Sequence, residues 1–228
     1  MKIVITGNHG FIGKNLEINL LTHKNFKINV INRDTNNTLI KNYIFNCDIL
    51  IHTAGVNRPK RKYDFVKDNF NFTNKILEYL NKKKHQKIIY LSTIKYNEKT
   101  LYGISKKKSE QSIIKNSRKL NYNYLILRLP NVFGKWCRPN YNSFISTIIY
   151  NITREKKLPK ISKIKKINLL YIDDLIQLII KNLKKNKNSK ILNVKGRSVK
   201  LYQIVKKLNI IWNNWKLNKV NKTSNSLD

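Results

Sequence analysis

Tyr102 and Lys106 stand four residues apart in Leu101-Tyr102-Gly103-Ile104-Ser105-Lys106. On a helix that spacing puts both side chains on one face. A free tyrosine titrates near about 10, too high for proton exchange at neutral pH. A nearby ammonium, and any positive ring of a bound cofactor, stabilises the phenolate and is expected to lower that value. The phenol can then trade a proton with a substrate oxygen while a hydride moves to or from the adjacent carbon. A third polar group should hold that oxygen, and Ser92-Thr93 follows the apolar run Ile88-Ile89-Tyr90-Leu91. Thr93, nine residues before Tyr102, is preferred to Ser92. In a lysine-rich chain Y-x-x-x-K alone is a common accident, and the competing reading is a surface tyrosine and lysine. The order of glycine loop, strand-end hydroxyl and Tyr/Lys helix is far less accidental.

The glycine loop is Gly7, Gly10 and Gly13, a G-x-x-G-x-x-G run after Lys2–Thr6 and before an apolar spacing through Phe11, Ile12 and Leu16. Strand, glycine turn and helix together form a pyrophosphate cradle, in which backbone N–H groups and the positive helix end face the anion. The alternative is a plain tight turn. The second strand, Lys27–Ile31, ends at Asn32-Arg33 with no acid before Arg33. An arginine there can pair with a 2′-phosphate, which favours NADPH, although Asp34 beside it keeps NAD(H) possible.

These residues need a scaffold, and the apolar runs supply one. Strands are expected at Lys2–Thr6, Lys27–Ile31, Ile49–Ile51, Ile88–Leu91 and Tyr124–Leu129, alternating with helices. The polar stretch 34–46 reads as too cramped for a helix. Phe65–Leu80 and Leu101–Leu120 read as helices. Beyond Pro130 the pattern loosens. Helices are expected over Asn142–Ile152, Asp174–Leu183 and Leu201–Leu208, a strand over Ile191–Val194, and a frayed tail from Asn213. The expectation is an α/β chain, a Rossmann-like doubly wound parallel sheet with a small C-terminal substrate-binding lobe. It is one domain over 1–228, with residues 1–130 mainly binding cofactor and 131–228 mainly substrate.

Composition bounds the rest. No apolar run approaches the roughly 20 residues that span a bilayer, and the N-terminus runs straight into the glycine loop, so a cytoplasmic protein is expected. Cys47 and Cys137 show no ligand spacing, and no metal site is expected. The net charge of +35 comes from 39 lysines and 8 arginines scattered through the chain beside much Asn and Ile. Those residue types share adenine- and thymine-rich codons. Compositional bias is therefore favoured over a nucleic-acid partner, since no binding motif accompanies the charge.

The ordered motifs resemble the extended short-chain dehydrogenase/reductases that act on nucleotide sugars. Arg128-Leu129-Pro130-Asn131-Val132-Phe133-Gly134, Tyr171-Ile172-Asp173-Asp174 and His52-Thr53-Ala54-Gly55 add to the likeness. Longer strings, Ala54-Gly55-Val56-Asn57-Arg58-Pro59 and the run from Pro130 to Ser143 through Lys135-Trp136-Cys137-Arg138, are similar to the reductase half of the CapF family of capsular polysaccharide enzymes. That resemblance implies NADPH-dependent reduction of a 4-keto UDP-2-acetamido-2,6-dideoxyhexose for surface polysaccharide, and a homodimer. It implies Thr93, Tyr102 and Lys106 as catalytic residues. Gly7, Gly10, Phe11, Ile12, Gly13, Arg33, Ala54 and Gly55 would contact cofactor. Asn131, Arg58 and Arg138 would contact the UDP-sugar. A loop cap is the other reading of Asn131, a surface ion pair that of each arginine, and a helix N-cap that of Asp173.

The family resembled carries a metal-binding cupin domain after the reductase, whereas this sequence ends at Asp228 with four histidines in all. An epimerase step assigned to a cupin does not carry over. Within the same fold, a 4-epimerase or a 4,6-dehydratase is the first alternative. A dehydratase is expected to need an acid beside the strand-end hydroxyl, and Ile94-Lys95 follows Thr93 instead. A non-catalytic polyanion-binding protein is the alternative of another class.

Overall fold

The computed structural model describes residues 1–141, 143–183 and 188–218. Its first half alternates β1 (Lys2–Thr6), α1 (Phe11–Leu21), β2 (Lys27–Ile31), α2 (Asn37–Asn46), β3 (Ile49–His52), a π-helical segment Val66–Asn71 leading into α3 (Phe72–Glu78), β4 (Gln86–Thr93), α4 (Leu101–Ser117) and β5 (Tyr122–Leu129). The second half adds β6 (Asn131–Phe133), α5 (Phe144–Thr153), β7 (Lys166–Tyr171), α6 (Ile172–Leu183), β8 (Lys190–Asn193), β9 (Arg197–Lys200) and α7 (Leu201–Lys216).

Six strands form one parallel sheet in the order β2-β1-β3-β4-β5-β8. The central strands are buried along nearly their whole length because helices cover both faces. On one face Leu16 and Leu20 of α1 meet Ile172, Leu175, Ile176, Ile179 and Leu183 of α6 over Ile3, Ile5, Ile51 and Ile89. On the other, Ile40 and Ile44 of α2, Ile76 and Leu77 of α3 and Ile113 of α4 cover Val4, Leu50, Ile88 and Ile126. The buried positions of α6 recur at helical spacing, and each such side chain contributes about 1.5–3 kcal/mol by leaving water. The chain leaves β1 toward β2 and returns to β3 on the other side. The carboxyl ends of β1 and β3 therefore flank a topological switch point, the place where open α/β sheets bind ligands.

Several expectations need correction. The stretch 34–46 does hold a helix, α2, because Asn36 accepts from Leu39 N and starts it at once. Only Ile40 and Ile44 of this helix are buried, so its apolar signal in sequence is thin. The expected helix Phe65–Leu80 opens with π-helical turns before turning regular. The carbonyl of Asn69 in that wide turn accepts the hydroxyls of Thr73 and Ser109 (2.5 and 3.2 Å) as well as the Phe72 backbone N–H. Asp173 is not an N-cap: α6 already begins at Ile172, and Asp173 faces Lys135 at 3.4 Å. Helix α7 runs on to Lys216, so the expected fraying from Asn213 does not hold there, and residues 219–228 lie outside the described residues. Asn142 also lies outside them, and the helix expected from it runs from Phe144.

Beyond Pro130 the chain divides. Strand β8 and helix α6 join the main sheet and its core, while β6, β7 and β9 form a separate three-stranded sheet. Helices α5 and α7 pack on each other through Ile148, Ile152 and Val205. No described helix is long and apolar enough to cross a membrane.

Candidate active site

Strand β4 carries Thr93 to the carboxyl edge of the sheet. The chain then folds over residues 94–100 to Thr100, whose hydroxyl accepts from Gly103 N and starts α4. Tyr102 is thereby placed in the first turn of α4, half-buried, with its phenol on the side of Thr93. Lys106 lies one turn deeper, buried, with its ammonium 4.2 Å from the centre of the Tyr90 ring.

The electrostatics differ from the expectation. Burial pushes Tyr102 up to about 12, with the nearby Thr93 hydroxyl opposing. The same burial pushes Lys106 down to about 7, partly offset by Glu110. Desolvation of the phenol outweighs the pull of a neighbouring cation whose own charge burial has weakened. The predicted lowering of Tyr102 is therefore reversed in the free protein, and the phenol holds its proton at neutral pH.

His52, at the end of β3, bridges Thr6 Oγ1 (2.7 Å) and Thr73 Oγ1 (3.0 Å). Burial, reinforced by Lys106, drives its pKa down to about 3. The imidazole is neutral and works as a strut between β1, β3 and α3. The sign for stability follows. The unfolded chain takes up this proton near about 6.5, the folded chain only near about 3. Stability present above pH 6.5 is thus lost as pH falls toward 3. Urea unfolding at pH 7 and pH 5 should show the acid sample less stable, and His52→Gln should flatten that difference; an unchanged slope would remove His52 from the account.

Sequence reading missed Asn69. Its side chain clamps the backbone of Val56 (2.7 Å to N, 3.0 Å to O) and donates to Ser105 Oγ (2.9 Å). It thus ties the loop after Ala54-Gly55 to the Tyr102/Lys106 helix. A polar residue inside a helix gives no signal for this until the π-helical turn and the loop are seen together.

At the switch point Gly7 adopts φ +76°, and an added Cβ would lie 2.7 Å from Ala54 Cα. Gly10 begins α1 with no side-chain cap and no acid in the first turn. The Phe11, Ile12 and Gly13 amides at that helix end, with Ala54 against Gly7, fit a dinucleotide pyrophosphate. Arg33 follows β2 on the same edge, 84% exposed, and its Nη2 lies 3.1 Å from Asp68.

The remaining named residues fall on the second sheet and its loop. Asn131 is exposed and donates to Asn168 O at 3.2 Å. Arg58 donates to Asn140 O at 3.0 Å, joining the loop after β3 to the loop after β6. Arg138 is exposed in that second loop. Trp136 and Asn140 there hold left-handed φ of 65° and 58°. The register sets Asn131, Leu169 and Arg197 side by side across β6, β7 and β9. Arg197 was not singled out in sequence, because strand β9 has no apolar pattern. Among the described residues no group of three His, Cys, Asp or Glu could hold a metal.

The family model that matches, described as the NAD dependent epimerase/dehydratase family, covers residues 3–194. The chain belongs to this family. A curated relative from Pseudomonas aeruginosa, a UDP-2-acetamido-2,6-beta-L-arabino-hexul-4-ose reductase, is 32% identical over 182 residues, or 79% of this chain and 49% of that protein. The chain thus spans about half the length of the curated relative it matches. The capsular polysaccharide assembling protein CapF from Staphylococcus aureus is 30% identical, with a TM-score of 0.80 over 94% of this chain and 58% of that one. A UDP-glucuronic acid 4-epimerase from Bacillus cereus, solved with NAD, superposes with a TM-score of 0.82 over 92% of this chain and 82% of its own. At 24% identity that likeness shows the fold alone.

Proposed function

We propose that this epimerase/dehydratase family member is an NADPH-dependent reductase of a 4-keto UDP-2-acetamido-2,6-dideoxyhexose. The observation that carries the reading is the placing of Thr93 at the end of β4 beside Tyr102 in the first turn of α4, with Lys106 buried one turn further along the same helix. A carbonyl being reduced needs a proton on its oxygen. The Tyr102 phenol, protonated at neutral pH, supplies one. Thr93 orients the carbonyl oxygen, Tyr102 donates its proton there, and Lys106 places positive charge beneath the phenolate that is left. The bound nicotinamide cofactor supplies the hydride. Asn131, Arg58 and Arg138 are the proposed contacts to the UDP-sugar, and the likeness to the Pseudomonas reductase supports that substrate class. A cytoplasmic homodimer is proposed with it, and sedimentation at moderate salt tests the dimer.

The test is direct. Protein washed free of nucleotide should oxidise NADPH only when the 4-keto sugar nucleotide is added. Retention of tightly held NAD, with interconversion of UDP-sugar epimers and no net NADPH loss, would instead make it an epimerase. Binding of RNA at moderate salt with no cofactor affinity would favour the polyanion-binding alternative.

Arg33 is the proposed partner of the 2′-phosphate, swinging from Asp68. A charge-assisted hydrogen bond is worth about 1.5–3 kcal/mol. Arg33→Ala should therefore weaken NADPH binding roughly 10- to 100-fold and leave NADH binding nearly unchanged. Equal losses for both cofactors in a fluorescence titration would remove Arg33 from 2′-phosphate recognition.

A further inference from the structure

Glu110 lies one helical turn beyond Lys106 on α4, and its carboxylate is only 3% exposed. Its Oε1 accepts the Ser92 hydroxyl at 2.5 Å. Arg128 donates to the same carboxylate through Nε (3.2 Å to Oε1, 3.1 Å to Oε2) and Nη2 (2.7 Å to Oε2). Ser92 and Arg128 are register partners on β4 and β5. The Arg128 guanidinium also lies over the Tyr96 ring, 3.4 Å from its centre. Tyr96 belongs to the segment that leads from Thr93 to the start of α4. One carboxylate therefore ties together both strand ends, the connecting segment and the helix that bears Tyr102 and Lys106.

Stability alone is a poor reason for this arrangement. Two charges taken from water cost several kcal/mol each, and well-packed apolar residues would hold the same elements as firmly. What apolar residues cannot give is direction and charge. Lys106 lies over the Tyr90 ring of β4, interacts electrostatically with neutral His52 of β3, and has Tyr102 one turn before it and Glu110 one turn after it on its own helix. Among these Glu110 is the carboxylate.

We propose that Glu110, fixed by Arg128 and Ser92, is a positioning residue that aligns Lys106 and Tyr102 with Thr93 and gives Lys106 its counter-charge. This rests on the reading of Tyr102 and Lys106 as the catalytic pair. The variants to make are Glu110→Gln and the double Glu110→Gln/Arg128→Met. The single change strands a largely buried guanidinium and can impair folding, whereas the double change removes both charges together.

Two readouts are needed. The first is the titration of Lys106 by carbon-13 NMR of labelled lysines, its signal assigned by loss in Lys106→Met. The second is the kcat for keto-sugar reduction alongside the Kd for NADPH. The expected result in the folded double variant is a Lys106 midpoint at lower pH. The kcat should be reduced roughly 10- to 100-fold, the scale of a 1 Å misplacement, while the NADPH Kd stays within about 2-fold of the parent protein, as expected if the change moves the reacting groups and not the cofactor cradle. A folded double variant with the parent midpoint and kcat overturns the proposal and makes the cluster merely structural. If no form turns over the keto sugar but the midpoint still moves, the reductase reading fails while the control of Lys106 by Glu110 stands.

Discussion

Tyr102→Phe is expected to lower keto-sugar turnover by about 10²- to 10⁴-fold, the usual contribution of a positioned acid or base. The substitution deletes one hydroxyl and keeps the ring that packs against Phe65 with centroids 6.2 Å apart. Thr93 keeps the hydrogen bond it accepts from Lys95 N at 3.2 Å. The stability cost should therefore be near about 1 kcal/mol, that of one hydrogen bond. NADPH affinity should hold, because the proposed cradle lies at Gly7–Gly13 and Arg33, away from the phenol. Single-turnover kinetics with a parallel NADPH titration read both quantities. Retained turnover would end the assignment of Tyr102.

The pH dependence has a definite sign. The acid form of Tyr102 is populated below about 12, so the phenol itself imposes no loss on reduction between pH 6 and 9. Lys106 loses its ammonium as pH rises through about 7. The kcat/KM for reduction, which reports the free enzyme, should therefore decline above neutrality. The reverse oxidation needs the phenolate and should gain with pH.

How much of this was legible before the structure depends on how local each feature is. Gly7, Gly10 and Gly13 follow an apolar strand and open a helix, so neighbouring residues alone reveal the turn. Thr93, Tyr102 and Lys106 lie within fourteen residues, and a strand end followed by a helix is enough to bring them together. Asn69 and Glu110 gave no such signal. Asn69 acts through a loop thirteen residues away, and Glu110 through Ser92 and Arg128, each eighteen residues away on β4 and β5. Helix α2 and the second sheet were hidden for a different reason. Strands such as Arg197–Lys200 are exposed and polar, and α2 buries two side chains, so neither shows the apolar periodicity that reveals a core element. The direction of the Tyr102 shift was misread because sequence shows that a lysine is near but not that it is desolvated.

Gly13→Ala should damage both stability and cofactor binding. Gly13 lies within α1 with ordinary helical torsion, where alanine would normally gain up to about 1 kcal/mol over glycine. Here the added Cβ would lie 2.2 Å from Gly7 O, 2.8 Å from Gly7 C and 2.9 Å from Asn8 Cα. All three are backbone atoms of the turn, which cannot rotate aside. The turn is also anchored, since Gly10 N donates to Gly7 O (2.9 Å) and Gly7 N to Ile31 O (2.8 Å). Relief requires α1 to move off the end of β1, at an overpacking cost of about 1–3 kcal/mol. The same displacement would carry the Phe11 and Ile12 amides away from the pyrophosphate position, so NADPH binding should weaken at least roughly 10-fold, about 1.4 kcal/mol. Gly10→Ala is the control. Its Cβ would meet only Gly7 O at 3.1 Å, so the effects should be smaller. Thermal melts and NADPH titrations of both variants separate the cases. Parent-like melting and affinity in Gly13→Ala would mean that the loop does not hold the helix this closely, and the cradle would lose its physical basis.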